Sequence, residues 1–285
     1  MTTRRDFLKI ALGSVFAADA LALFGSEAQL RATWKIGICD WDLRATGRPS
    51  SFAVAKELGF EGVQVSYQPE GPDSLAIRAN RSKFVEAAKD AGVSIASLCI
   101  GLMNDRPLAT TPEATGWVED CIQAMVEMNV DQVLIPFFGN GDITEHEDHQ
   151  PLVVEKLKRL APIAGKNRKT LAVESYLSAD KLLKLIDAIG SEAIKVYYDV
   201  RNSQNKHYDI FREMEVLGKS KLISQIHFKE DRFLLGKGDI DFTRVCETLE
   251  KVGYPGWVIV ESSSVGDWRE SQIANAQFVK KLIGR

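Results

Sequence analysis

TLAVE at residues 170–174, IKVYYD at 194–199, LISQIH at 222–227 and WVIVE at 257–261 share one pattern: a short apolar run that ends in a carboxylate or an imidazole. In a parallel barrel every strand delivers its C-terminal residue to the same mouth, so these endings predict that Glu174, Asp199, His227 and Glu261 meet. Three carboxylates and one imidazole form a mixed oxygen and nitrogen donor set suited to one divalent ion of the manganese, cobalt, magnesium or zinc kind. A lone carboxylate at a strand end is more often a helix cap, and a lone histidine a satisfied core residue. Four on consecutive strands at the same end favour a metal.

Upstream, the same alternation of short β-rich and longer helical patterns runs back to residue 34. WKIGICDW (34–41), GVQVS (62–66), VSIASLC (93–99) and QVLIPF (132–137) read as the first four strands. Helical patterns follow at about residues 50–58, 77–91, 112–128, 144–165, 178–189, 207–217, 241–252 and 267–283. Strands about thirty residues apart, each followed by an amphipathic helix, predict an α/β chain of eight βα units, a (β/α)8 TIM barrel in a single domain spanning residues 33–285. Glycines in LGFEGV (58–63), AGVS (91–94) and VGYPGW (252–257) read as helix C-caps before re-entry into the sheet. An open doubly wound sheet would bring a glycine-rich phosphate loop after its first strand, and CDWDL (39–43) is not one.

The chain has 285 residues, 36 basic and 39 acidic, for a net charge of −3. Both signs are scattered, so nucleic acid is not an expected partner. Cys39, Cys99, Cys121 and Cys246 form no C-x-x-C pair and read as buried thiols. TRRDFLK (3–9), followed by an apolar stretch over 10–24, resembles a twin-arginine export signal, expected to occupy residues 1–28 and to be cleaved after Ala28, with Ala20 and Ala22 as alternatives. That resemblance implies a periplasmic or otherwise exported protein, exported folded. The apolar stretch is short and interrupted by Asp19, so no stable membrane span is expected after cleavage. Assembly into a homo-oligomer is left open.

VES at 173–175, YYDVRN at 197–202, IHFKE at 226–230 and VES at 260–262, with LGKGDIDF at 235–242, resemble the ligand strands and the following G-x-G-x-[IV]-D segment of the xylose isomerase-like barrel superfamily. That superfamily includes ketose 3-epimerases, hydroxypyruvate isomerases, inosose dehydratases and endonuclease IV. The resemblance implies one divalent metal held by Glu174, Asp199, His227 and Glu261, with Glu174 and Glu261 also moving protons. It further implies a carbohydrate substrate and a metal-dependent ketose or keto-acid isomerase or epimerase working through an enediolate. A lyase or hydrolase that cleaves or dehydrates an oxidised (3-keto) sugar or glycoside is the alternative, and a non-catalytic sugar-binding barrel the last. Endonuclease chemistry is disfavoured, because it needs more histidine ligands than His146, His149, His207 and His227 supply, and TEHEDH (144–149) reads as helical.

Around the four ligands, strand alternation aims Lys229 the same way as His227, toward substrate. Arg201 and His207 on the loop after Asp199 are candidates for binding it. Asn202 stands where many sugar-acting relatives carry a histidine. At the first four strand ends, Trp41 and Asp42, Gln64 and Tyr67, residues 103–106, and residues 137–140 with Phe138 are the candidate specificity wall.

Overall fold

The computed structural model describes residues 33–285; the expected export signal at residues 1–28 lies outside them. Eight parallel strands close on themselves in chain order: β1 Lys35–Cys39, β2 Gly62–Ser66, β3 Ser94–Cys99, β4 Gln132–Phe137, β5 Thr170–Ser175, β6 Ile194–Asp199, β7 Ile223–Phe228 and β8 Trp257–Val260. Closure is made by β1 against β8, with Lys35 opposite Trp257 and Ile38 opposite Val260. The expected single-domain TIM barrel is therefore the observed fold.

The outer ring consists of α1 Ser51–Leu58, α2 Arg78–Ala91, α3 Ala114–Glu127, α4 His149–Lys166, α5 Ala179–Ile189, α6 Val200–Asn205, α7 Ile210–Lys219, α8 Phe242–Lys251 and α9 Trp268–Leu282. Most helices bury one apolar stripe against the strands, as Leu182, Leu185, Ile186 and Ile189 do on α5. Gly59 and Gly92 sit at φ +90° and +63°, the left-handed geometry expected of C-cap glycines.

Two helical expectations are corrected. Residues 144–148 form a turn, because Asp142 accepts from the backbone N–H (2.7 Å) and the hydroxyl (2.6 Å) of Thr144, and α4 starts only at His149. The helix expected over 207–217 begins only at Ile210, and the short α6, which was not expected, precedes it. His207 breaks the path at φ +63°, and Asp209 caps α7 by accepting from the N–H groups of Phe211 and Arg212.

Apolar packing divides into a large layer between strands and helices and a small cluster inside the barrel, where Cys39, Ala96, Cys99, Leu134, Ala172, Tyr197 and Ile259 meet. Trp257 packs against that inner cluster and requires Gly62 opposite it, since a Cβ there would come within 2.5 Å of the indole. All four cysteines are buried, as expected, and no disulfide links them among the described residues.

Candidate metal centre

Glu174 near the end of β5, Asp199 closing β6, His227 on β7 and Glu261 one residue beyond β8 converge at the C-terminal mouth. Their ligand atoms all lie within 4.8 Å of one another. Register accounts for the convergence: Asp199 stands directly opposite His227, and the Glu261 N–H donates to the Phe228 carbonyl at 3.0 Å, continuing the β8 ladder by one residue. His227 Nδ1 is 3.2 Å from Glu174 Oε1, 3.2 Å from Glu261 Oε2 and 3.6 Å from Asp199 Oδ2.

The other imidazole nitrogen, Nε2, faces Gln64 Oε1 at 3.0 Å. That carbonyl oxygen can only accept, so it selects the tautomer with the proton on Nε2 and leaves the Nδ1 lone pair for the carboxylate side. Gln64 is itself held: its amide donates to Ser97 Oγ at 3.1 Å, Ser97 donates to Gln225 Oε1 at 2.7 Å, and Gln225 donates to the Ala96 carbonyl at 3.3 Å.

Electrostatics follow from crowding three carboxylates around buried groups. Burial disfavours a charged His227, but Glu261 and Glu174 outweigh it and push its pKa up to about 10. Burial raises Glu174 to about 7, against the pull of His227. Asp199 is held below its ordinary range: burial opposes this, but Lys229 and His227 prevail. Asp199 Oδ1 accepts from the Asn202 N–H at 2.8 Å, capping α6, while Oδ2 is buried without a hydrogen-bond partner. An orphaned buried carboxylate oxygen, two more carboxylates and an imidazole with Nδ1 facing them are the donors a divalent ion takes, so the residues fit such an ion.

Above the cluster opens a cavity of about 440 Å³ whose walls include Trp41, Ser66, Asn104, Phe138, Tyr176, Asn202 and Lys229. The rings of Phe138 and Tyr176 lie 4.6 Å apart and form an apolar wall. Lys229 reaches inward over His227, its Nζ donating to Glu261 Oε2 at 3.0 Å and standing 3.5 Å from Asp199 Oδ2.

Of the wall expected from the sequence, Trp41 and Phe138 line this cavity, with Asn104 from the 103–106 segment, and so do the separate candidates Asn202 and Lys229. Four of the residues named from the sequence lie outside this lining. Gln64 is fully buried beneath His227 and supports the imidazole instead of lining the cavity. Tyr67 points out of the barrel, its hydroxyl donating to Asp120 on α3 at 2.6 Å, because Ser66 beside it faces the mouth and neighbours on a strand alternate. Arg201 is a buried ion-pair partner of Glu230 and Asp239, away from the cavity lining. His207 is exposed on the turn after α6.

The Arg201 network explains the LGKGDIDF segment. Glu230 is buried, and a Cβ at Gly238 would meet its carboxylate, so a side chain there would have to push that carboxylate off its pair with Arg201. Tyr176, Ser66 and Gln68 line the cavity without having been singled out in the sequence. Tyr176 was within reach of the same alternation, two residues beyond Glu174. Asp40 was not. Fully buried, it accepts from the N–H groups of Gly47 and Ser66 and from the Ser66 hydroxyl, with burial raising it to about 6.

Fold and site together define a (β/α)8 barrel with a metal-competent carboxylate and imidazole cluster at its C-terminal mouth. The sequence profile of the xylose isomerase-like TIM barrel matches residues 52–282, and the chain belongs to that family. It is 23% identical over 259 residues to the L-ribulose-5-phosphate 3-epimerase UlaE of Salmonella heidelberg (strain SL476), covering 80% of this chain and 90% of that one. UlaE of Escherichia coli (strain K12) is likewise 23% identical over 259 residues, with the same coverage. Among solved structures, D-psicose 3-epimerase in the presence of D-fructose superposes with a TM-score of 0.72 at 16% identity, covering 88% of this chain and 100% of that one. The 3-keto-D-glucoside 4-epimerase YcjR from E. coli does so with a TM-score of 0.72 at 14% identity, covering 87% and 99%.

Proposed function

We propose that this protein is a divalent-metal-dependent isomerase or epimerase of a ketose or keto-acid, moving a proton beside a carbonyl through an enediolate. The observation that carries the reading is the convergence of Glu174, Asp199, His227 and Glu261 on one point at the floor of a cavity. Similarity to sugar 3-epimerases in sequence supports the same class. When bound, the metal would supply the positive charge that acidifies a C–H next to a carbonyl and stabilises the charge that develops there.

Asp199 and His227 would hold the ion, with Gln64 fixing the imidazole tautomer. Glu174 is the base: it is buried at the cavity floor, and one of its carboxylate oxygens would face the metal while the other takes the proton. Glu261 approaches His227 Nδ1 from β8 while Glu174 approaches it from β5, and the two carboxylates would serve different faces of one carbon. An epimerase requires that arrangement. Trp41, Phe138 and Tyr176 would pack on the C–H face of the sugar, and Asn104 and Asn202 would meet its hydroxyls.

A lyase or hydrolase acting on a 3-keto sugar or glycoside is the second reading, favoured by the expected export, since glycosides are reasonable substrates outside the cytoplasm. Export by a twin-arginine signal in residues 1–28, with the mature barrel in the periplasm, belongs to the proposal and rests on the TRRDFLK sequence. Proton NMR in D2O with Mg²⁺, on free ketoses and 3-keto-glycosides, tests the reading. Deuterium entering a carbon beside the carbonyl with the skeleton intact supports the isomerase, and release of an aglycone or dehydration moves the assignment to the second reading. Absence of both with every sugar would remove it.

A further inference from the structure

A lysine side chain stands inside a cluster built to hold a dication. Lys229 lies two residues beyond His227 and points the same way, and Phe228 between them is turned outward onto Phe242, with ring centroids 4.9 Å apart. Its ammonium touches two of the four metal-competent groups, Glu261 and Asp199, and its side chain is only 22% exposed. It is the one basic side chain among the described residues that line the cavity, so its placement is not that of a solvated surface lysine.

An ammonium has three donors, and Glu261 takes one, with Asp199 at a longer distance beside it. Donor capacity remains on the ammonium, and Lys229 lines the same cavity as Glu174 and Asn202. The charges also match. Glu174, Asp199 and Glu261 carry three negative charges, and a dication with the Lys229 ammonium carries three positive ones once His227 is neutral.

We propose that Lys229 is a second cation of this site, sharing Glu261 and Asp199 with the metal and donating a hydrogen bond to a substrate oxygen beside the carbon that loses its proton. The inference deepens the isomerase reading and rests on it for the substrate contact. A hydrogen bond from a preorganised cation to an oxygen that gains negative charge strengthens as the charge develops, so it lowers the barrier more than it tightens ground-state binding. The same cation repels an incoming dication, and its removal frees two carboxylates for it.

Lys229→Met, Lys229→Gln and Lys229→Arg separate this role from a structural one. Mn²⁺ affinity is read by calorimetry on the apoprotein, kcat and KM by deuterium exchange into the sugar. Lys229→Met is expected to bind Mn²⁺ about tenfold tighter, to lose about a hundredfold in kcat with KM little changed, and Lys229→Arg to recover part of both. A lysine that merely braced Glu261 would, on removal, leave metal binding unchanged or weaker, and that result overturns the inference, as does an unchanged kcat. If Lys229→Met does not fold, Lys229→Gln, which keeps a polar head without the charge, carries the same expectations. If the wild-type protein exchanges no proton on any sugar, the isomerase reading falls. A metal affinity that fails to rise then still overturns the role of Lys229 by itself.

Discussion

Metal binding by this site should release protons, and the structure sets how many. In the metal-free protein His227 has three carboxylate oxygens within 3.6 Å of Nδ1, and its pKa is pushed up to about 10. A metal needs that nitrogen unprotonated. At pH 7 the proton must first be removed from a group about three pH units below its pKa, which weakens apparent affinity about a thousandfold, or about 4 kcal/mol at about 1.36 kcal/mol per unit. Glu174, raised to about 7, adds roughly half a proton at the same pH. Apparent Mn²⁺ affinity should therefore rise about tenfold per pH unit between pH 7 and 9, and more steeply just below pH 7.

Calorimetric titrations at pH 7 in two buffers of different ionisation enthalpy should count between about one and two protons released per metal. Stability of the metal-free protein runs the opposite way. The His227 pKa is raised from 6.5 on folding, so its contribution is fully present below pH 6.5 and is lost as pH rises through about 10. Metal affinity flat from pH 6.5 to 9, with no buffer-dependent heat, would refute the account of His227 as a cation displaced by the metal.

Gln64→Leu removes the acceptor that holds the imidazole proton on Nε2, and Mn²⁺ affinity measured by calorimetry should fall about 10- to 100-fold while the fold is retained. Gly238→Ala drives a Cβ into the Glu230 carboxylate, loosening its pair with Arg201; thermal unfolding should show a loss of about 1–3 kcal/mol, with a melting temperature lower by several degrees. Tyr67→Phe deletes the hydrogen bond to Asp120 outside the barrel and should cost about 0.5–1.5 kcal/mol in denaturant unfolding with KM unchanged. A raised KM would return Tyr67 to the substrate site.

Periodicity alone determined the barrel and its metal-competent cluster, because in a parallel barrel both depend on local information. Eight apolar runs with helical patterns between them leave few topologies, and a polar residue closing such a run is delivered to the mouth by the strand itself. Glu174, Asp199, His227 and Glu261 were legible for that reason, and so was the inward aim of Lys229. The two-residue alternation could also have named Tyr176 and rejected Tyr67, once Ser66 was assigned to the mouth. What only the tertiary structure decided is which polar groups meet across the chain. Arg201 and Asp239 are 38 residues apart, and Gln64 and His227 are 163 apart. A lone Arg or Gln at a strand end reads equally as a substrate contact or a structural partner. Its role is set by which strand lies alongside and how deep the side chain sits, quantities that arise only when β1 meets β8 and the barrel closes.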